Sequence, residues 1–425
     1  MLDKKALSEL EKLKKIAEKQ DYKLNAMLLY NVLAAFSGSH DGEELFQDMQ
    51  GYLNDHNIEI IFDDVEVESE ETIFSKKIRP FDPSKIDISM QQMSLDSLLK
   101  RIANEEIDLN TEFQRRGGLW SQVQKSQLIE SLLLKIPLPA FYFDAGVEDK
   151  WLIIDGLQRI TALKEFTIDK TLKLKGLEFF GDLEGIGYDE LPRVFVRRIE
   201  ETNLVAFTVK RGTPVNVKYN IFKRINTGGL ELEPQEIRHA LYQGKAVKML
   251  KHLSETEEFK KATGGSIRID RMQDQEFVLR FVAVCFYGIN KYDSSSEDFL
   301  NDAMAFLNDT DDDTDKEICK KFCQVMQDAY EILGCHAFRK ISLDGMRRPI
   351  NKAIYEAWCY NLFMMEEKEI RGLKFERGKV KNKFIELCDD DSFLAALKHS
   401  DKKSVIYRFD CIYGLTREVL YDKGN

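Results

Sequence analysis

Apolar residues recur along this chain with two periods, and the change from one to the other divides it. Leu7, Leu10, Leu13 and Ile16 with Ala17 return at the spacing of one helix face, and LNAMLLYNVLAAF and EELFQDMQGYLNDH repeat that spacing. IEIIF then reads as a short strand, so residues 5 to 68 predict a small unit of three helices and a strand. From about residue 86 strands and helices alternate. IDISM predicts a strand and SLDSLLKRIANEEI an amphipathic helix with Ser94 as N-cap. SQVQKSQLIESLLL reads as a helix, KIPLP as a turn and AFYF as a strand. WLIIDGLQRITALKEF predicts a strand through Leu152, Ile153 and Ile154, a turn at Asp155-Gly156, and a helix with the stripe Ile160, Leu163 and Phe166. FVRRI and NLVAFTV are two further strand candidates. TPVNVKYNIFKRIN predicts a helix with Pro214 at its first position behind Thr213, TGG ends it, and PQEIRHALY starts another.

Beyond about residue 245 only the helical period remains, through EFVLRFVAVCFYGI, SEDFLNDAMAFL, KEICKKFCQVMQDAYEIL, NKAIYEAWCYNLFMM and KSVIYRFDCIYGLTREVL. The expected class is α+β, an α/β domain flanked by a small acidic helical N-terminal domain and an all-α C-terminal domain. The expected limits are residues 1–70 for the acidic domain, 71–85 for a linker, 86–244 for the α/β domain and 245–425 for the helical domain.

Composition sharpens this picture in three places. A chain of 425 residues, 43% hydrophobic and 32% charged with only 8 Pro, is long enough for two or three packed domains. Its net charge of -11 argues against coating nucleic acid by bulk electrostatics and leaves a locally built basic groove as the route to such a contact. Between Leu24 and Ser75 there is no Lys or Arg, so the N-terminal unit is one-sidedly acidic, a surface that repels DNA and attracts a basic groove. The cysteines, at 285, 319, 323, 335, 359, 388 and 411, form no C-x-x-C pair and read as reduced core thiols. No apolar run reaches the length of a membrane span and the start has no apolar signal core, so a cytoplasmic protein without a membrane partner is expected. DTDDDTDKE lacks the central Gly of a calcium loop and reads as an acidic helix start.

Candidate chemistry lies in three polar clusters. They are Phe113-Gln114-Arg115-Arg116, with Trp120 after it; Asp155-Gly156-Leu157-Gln158-Arg159; and Phe222-Lys223-Arg224-Ile225-Asn226-Thr227-Gly228-Gly229, with Gln235, Glu236 and Arg238 after it. An arginine in a first helical turn opposes the helix dipole unless something negative shares the site. A strand, a glycine turn and a helix N-terminus with an added guanidinium is a sensible cradle for phosphate. Each cluster also has a local explanation: Asp155 as the cap of the helix beside it, Trp120 as a packed side chain, the glycines as a helix stop. In the last third, Lys320, Lys321, Arg339, Lys340, Arg347 and Arg348 offer a DNA-facing strip or simply a solvated surface.

Two resemblances follow from these stretches. LKKIAEKQDYKLNAMLLYNVL followed by LFQDMQGYLNDHNIEIIFDD resembles region 1.1 of the primary bacterial sigma factors, an acidic module that occupies the DNA channel of RNA polymerase. FQRRGGLW, QLIESLLLKIPLPAFYF, IIDGLQRITAL, FKRINTGGLELEPQEIRHAL and RMQDQEFVLRF occur in the order of the GmrS-like family, also called domain of unknown function 262, over residues 86 to 285. That resemblance implies a ParB/sulfiredoxin-like fold and a place in modification-dependent restriction and other anti-phage systems. It also implies binding and hydrolysis of a nucleoside triphosphate with Mg2+, coupled to cleavage of modified or foreign DNA by a nuclease partner. The matched residues are Gln114, Arg115, Asp155, Gly156, Gln158, Arg159, Arg224, Asn226, Thr227 and Gly228, with Leu157 standing where the family motif has Gln.

Carried onto these positions, Arg159 and the N–H groups from Leu157 to Ile160 are expected to hold phosphates. Asp155 is expected to position Mg2+ or water, Arg115 to neutralise charge on the transferred phosphoryl, and Asn226 and Thr227 to bind sugar or phosphate oxygen. The six histidines, at 40, 56, 239, 252, 336 and 399, are too scattered for an HNH nuclease. Two other classes remain open: a metal-dependent nuclease using Asp155 with Glu112, and a nucleotide-switched adaptor docking on a DNA-binding or transcription complex.

Overall fold

The protein is described from a computed structural model. It covers residues 10–14, 17, 23–25, 49, 51–53, 55–56, 58–61, 87–109, 120–146, 150–225, 232–269, 271–293, 295–343 and 347–421. By internal contacts the chain divides into two compact units, Arg79–Gln243, and Met1–Ile78 together with Gly244–Asn425. The class is α+β, with one five-stranded sheet and an all-helical C-terminal region.

In the N-terminal segment two short strands, β1 (Lys23–Asn25) and β2 (Glu59–Ile61), pair in parallel. β2 is the strand expected from IEIIF, whereas β1 occupies Leu24 and Asn25, which the apolar period assigns to a helix. Pairing with β2 supplies backbone partners that override the local period at those two residues. The rest of LNAMLLYNVLAAF lies outside the described residues.

The second unit is built on β3 (Ile88–Ser94), β4 (Ile107–Asp108), β5 (Phe141–Ala145), β6 (Trp151–Asp155) and β7 (Asn203–Lys210), in spatial order β3-β7-β5-β6-β4. β5 runs parallel to β7 and antiparallel to β6, and β3 pairs antiparallel with β7 along its whole length. Strand alternation sorts the side chains. Phe141, Phe143, Trp151, Ile153, Leu204 and Ala206 bury one face beneath α1 (Leu95–Ala103), α2 (Gln122–Leu133), α3 (Leu157–Thr167) and α4 (Arg193–Glu200). Ile154 and Val209 bury the other beneath α5 (Val215–Ile225) and α6 (Pro234–Leu241), through Tyr219, Phe222 and Ile237. Ser94 caps α1 through the Ser97 N–H at 3.2 Å, as its position suggests. FVRRI lies in helix α4 and is not a strand. Phe195, Val196 and Ile199 recur at helical spacing on its inner side, so the short apolar run before two arginines is one helix face.

The helical unit comprises α7 (Lys245–Ser254), α8 (Glu257–Thr263), α9 (Gln273–Val282), α10 (Ser296–Asp309), α11 (Asp312–Leu333), α12 (Lys352–Met364), α13 (Glu367–Phe375), α14 (Arg377–Cys388), α15 (Asp391–Lys398) and α16 (Lys402–Tyr421). Asp311 caps α11 by accepting the Thr314 N–H at 2.8 Å, which explains the acidic run there. Its centre holds a buried ionic lattice. Arg280 pairs with Glu276 at 2.7 Å and with Glu356 at 2.6 Å, and Arg408 pairs with Glu356 at 2.9 Å. RMQDQEFVLRF therefore supplies Glu276 and Arg280 to a core brace. The basic strip read from Lys320 to Arg348 does not form as such, because Arg339 is fully buried. Arg339 donates to the carbonyls of Arg348, at 2.6 Å, and Thr263, at 2.9 Å. All seven cysteines are free, and no helix among the described residues is long and apolar enough to cross a membrane.

Candidate functional site

The strand, turn and helix read from WLIIDGLQRITAL form as β6, Gly156 and α3. Gly156 sits at φ 104°, and a Cβ there would lie 2.5 Å from Phe141 Cδ1 and 3.2 Å from Arg159 Nη2. Glycine is therefore required twice, by the left-handed backbone and by the ring beneath it. Gly156 is also the N-cap of α3, and among the described residues no side chain caps the helix. Asp155 does not cap it. Its Oδ2 accepts from Arg159 Nη2 at 2.7 Å. The first-turn N–H groups of α3 are thus left to other acceptors.

Arg159 is 9% exposed and reaches across the turn. Nη1 donates to the Pro139 carbonyl, Nη2 donates to the Ala140 carbonyl at 3.2 Å, and the guanidinium stands 4.4 Å from the centre of the Phe141 ring. Burial pulls its pKa below the ordinary arginine value, while the charge and hydrogen bond of Asp155 push the other way. The cation at the start of α3 is thus held by two carbonyls, a ring face and a carboxylate, and it ties the helix start to the entry of β5. Asp155 keeps 36% of its side chain exposed, so one charged partner does not close it off.

Gln158 turns the opposite way, and its Oε1 accepts the Trp120 N–H at 3.2 Å. Trp120 is partly buried against the main core, the packed role expected for it. Leu157, partly buried, packs against the same core. Arg224 is exposed in the last turn of α5, whose Phe222 and Ile225 pack with Ile154, the residue before Asp155. Asp155, Gly156, Gln158 and Arg159 are thus brought together. Gln114, Arg115, Asn226, Thr227 and Gly228, and Glu112 of the nuclease alternative, lie outside the described residues.

Three largely buried polar side chains lie near this turn, and Glu130 and Lys218 are not among the residues of the three polar clusters. Glu130, buried in α2, accepts the N–H groups of Glu178 at 3.0 Å, Phe179 at 2.7 Å and Phe180 at 3.0 Å. Burial pushes its carboxyl up, but the three donors outweigh burial and hold it below the ordinary glutamate value. Lys218 of α5 grips both oxygens of Asp144 on β5 at 2.7 Å, with each side chain 12% exposed. Gln235 of α6 is buried, and its Nε2 has no acceptor among the described residues. The sequence signal for Glu130 was a lone charge inside the apolar stripe of LIESLLL and for Lys218 there was none, whereas Gln235 belongs to the third polar cluster.

Metal and pocket geometry narrow the chemistry further. Among the described residues no group of three or more His, Cys, Asp or Glu could hold a metal. The half-open carboxylate of Asp155 is a hard oxygen donor of the kind Mg2+ uses, an ion that keeps waters and leans on substrate phosphates. A cavity of about 860 Å3, lined by Gln91, Arg101, Trp151, Thr208, Lys210 and Arg211, opens at the start of β6, the end remote from Asp155. There Arg101 is held by Glu106 at 2.9 Å and stacks 4.3 Å above the Trp151 ring, so that cation is already engaged.

Compared with known proteins, residues 95–243, about a third of the chain, match the family described as GmrSD restriction endonuclease, N-terminal domain. The match runs from α1 through α6 and includes the Asp155-Gly156 turn. No curated protein and no solved structure matches the chain.

Proposed function

Since residues 95–243 form a domain of the GmrSD N-terminal type, we propose that this chain is the nucleotide-hydrolysing component of a DNA-sensing restriction or anti-phage defence system. The observation that carries this reading is the turn between β6 and α3. It offers a helix start that no described side chain caps, a left-handed glycine turn packed on the Phe141 ring, and a carboxylate with 36% of its side chain exposed. A phosphate at that helix start would meet Asp155, and two anions so close require a cation between them, which is the place for Mg2+. When bound, Mg2+ would supply charge neutralisation for phosphoryl transfer. Asp155 would hold that ion's waters, while Arg159 keeps the carboxylate oriented from below. Gln158 would hold the Trp120 end of the chain that carries Gln114 and Arg115. Arg115 lies five positions before Trp120 in the sequence and would neutralise charge on the transferred phosphoryl. Asn226, Thr227 and Gly228 follow directly on Ile225, which packs with the residue before Asp155, and would contact sugar or phosphate.

The test is phosphate release from ATP, GTP, CTP and UTP with Mg2+, with and without DNA. Asp155→Asn is the informative variant, because it keeps an oxygen for Arg159 and removes only the charge. Turnover that survives Asp155→Asn sinks the assignment. One observation favours a second reading, a nucleotide-switched adaptor with little turnover: Leu157, partly buried, packs against the core at the position where the family motif carries an amide. Nucleotide binding without turnover in the native chain, with turnover gained by Leu157→Gln, would select that reading.

A further inference from the structure

Between Lys368 and Lys383 the chain carries seven Lys or Arg and two Glu, against a net charge of -11 for the whole protein. This stretch covers most of α13 and the start of α14. A cavity of about 630 Å3 opens between their junction and the end of α11, lined by Tyr330, Gly334, Lys374, Arg377, Gly378 and Lys381. Its charges are unequally used. Lys374 is neutralised by Asp328 and by Glu331 of the cavity wall, each at 2.6 Å. Arg377 and Lys381 have no ionic partner among the described residues. They stand four positions apart on one helix face, an arrangement of like charges that is unfavourable unless an anion lies against both.

Two further features point to the kind of anion. Phe375, two residues before Arg377, is 87% exposed, and Tyr330 on the cavity wall is 41% exposed. Gly378 lies in the first turn of α14 with an ordinary backbone, and a Cβ there would meet nothing within 4 Å. Its own fold therefore does not require glycine, a poor helix former, whereas close approach of a bulky ligand to the backbone would. Adjacent cations, exposed aromatic faces and an open floor are the elements of a single-strand nucleic-acid platform.

We propose that this concavity holds a single strand of nucleic acid, with phosphates on Arg377 and Lys381 and, where the strand leaves the cavity past the end of α13, an unstacked base against the exposed Phe375. The proposal rests on the DNA engagement in the reading above but is independent of nucleotide turnover. The experiment is fluorescence anisotropy with the full chain and a labelled oligothymidine of about 20 nucleotides. Four proteins are compared: the native chain, Arg377→Ala/Lys381→Ala, Phe375→Ala and the exposed control pair Lys402→Ala/Lys403→Ala.

The first double variant is expected to bind at least about ten-fold more weakly, and its slope of log affinity against log salt should fall by about 1.4, the loss of two phosphate contacts on a single strand. Phe375→Ala should weaken binding about ten-fold at unchanged slope. The control pair should bind as the native chain does, and all four should melt together by circular dichroism. Native binding with affinity and slope unmoved in Arg377→Ala/Lys381→Ala overturns this surface and leaves DNA engagement standing elsewhere. A native chain that binds duplex of the same length but not oligothymidine overturns the single-strand assignment, and one that binds neither overturns this proposal together with DNA engagement. Phosphate release in Arg377→Ala/Lys381→Ala should match the native rate, which separates failure here from failure of the nucleotide site.

Discussion

Two arginine–carboxylate pairs, Asp155 with Arg159 and Glu276 with Arg280, arise from the same spacing of four residues, and the protein uses them in opposite ways. Glu276 and Arg280 are each 6% exposed, and Glu356 and Arg408 extend them into a closed lattice. Lys352 also pairs with Glu276, at 3.1 Å. In the Asp155 pair only the arginine is buried, and the acid faces outward beside a helix start that no described side chain caps. Both stretches are rich in arginine and amide and stand out equally in the sequence. What distinguishes them is which partner the fold leaves open: a sealed pair braces, and a pair with one open acid can still take a ligand.

Four variants would break or sharpen that contrast. Arg280→Met should have the largest effect, a loss of roughly 3–5 kcal/mol, because two buried carboxylates lose their common partner. Urea unfolding of the helical unit measures it, and a loss under about 1 kcal/mol would mean that the lattice is not a brace. Gly156→Ala should cost about 3 kcal/mol, combining left-handed strain with overlap on Phe141. It should also abolish nucleotide binding, and a native-like titration would show that the turn is not the site.

Glu130→Gln sharpens the contrast within the sheet unit, since Glu130 is a sealed carboxylate without an arginine. Its loss should cost about 1–2 kcal/mol at neutral pH. The sign follows from its lowered pKa: the stabilisation is complete above the ordinary glutamate value of about 4.3 and is lost as pH falls through the lower folded value. Melting curves of the native chain and Glu130→Gln should therefore converge on acidification, and a gap that stays constant would remove Glu130 as the cause. Asp155→Asn should move stability least, by under about 1 kcal/mol for a pair with one exposed member, while removing turnover. A large loss of stability would class Asp155 with Glu276 as a brace.

The elements that could be read from the sequence were those whose local chemistry and tertiary setting agree. Asp-Gly after an apolar run gave β6, the Gly156 turn and α3, and Ser94 and the acidic run at Asp311 gave their helix starts. Pattern misled where a short apolar run admits two periods, as in Phe195, Val196 and Ile199, or where a distant partner decides, as in the pairing of Lys23–Asn25 with Glu59–Ile61. Of the site, the sequence located Asp155, Gly156, Gln158 and Arg159 as a group. It could not show that Arg159 looks inward to Pro139 and Ala140, because those carbonyls come from the entry to a different strand. Nor could it show that Arg339 is buried while Arg377 is not, since charge alone carries no depth.

The pairing of β3 with β7 has a temporal consequence. Ser89 and Thr208 share a hydrogen bond at 2.8 Å across 119 positions of chain, so the edge strand made first waits for the strand made last. The segment from α2 through β5 and β6 to α3 needs only neighbouring contacts and can collapse while synthesis continues. On a ribosome adding about 5–20 residues per second, β3 would remain unpaired for several seconds after it emerges. During that interval its exposed backbone is the region most open to capture by other chains or by chaperones.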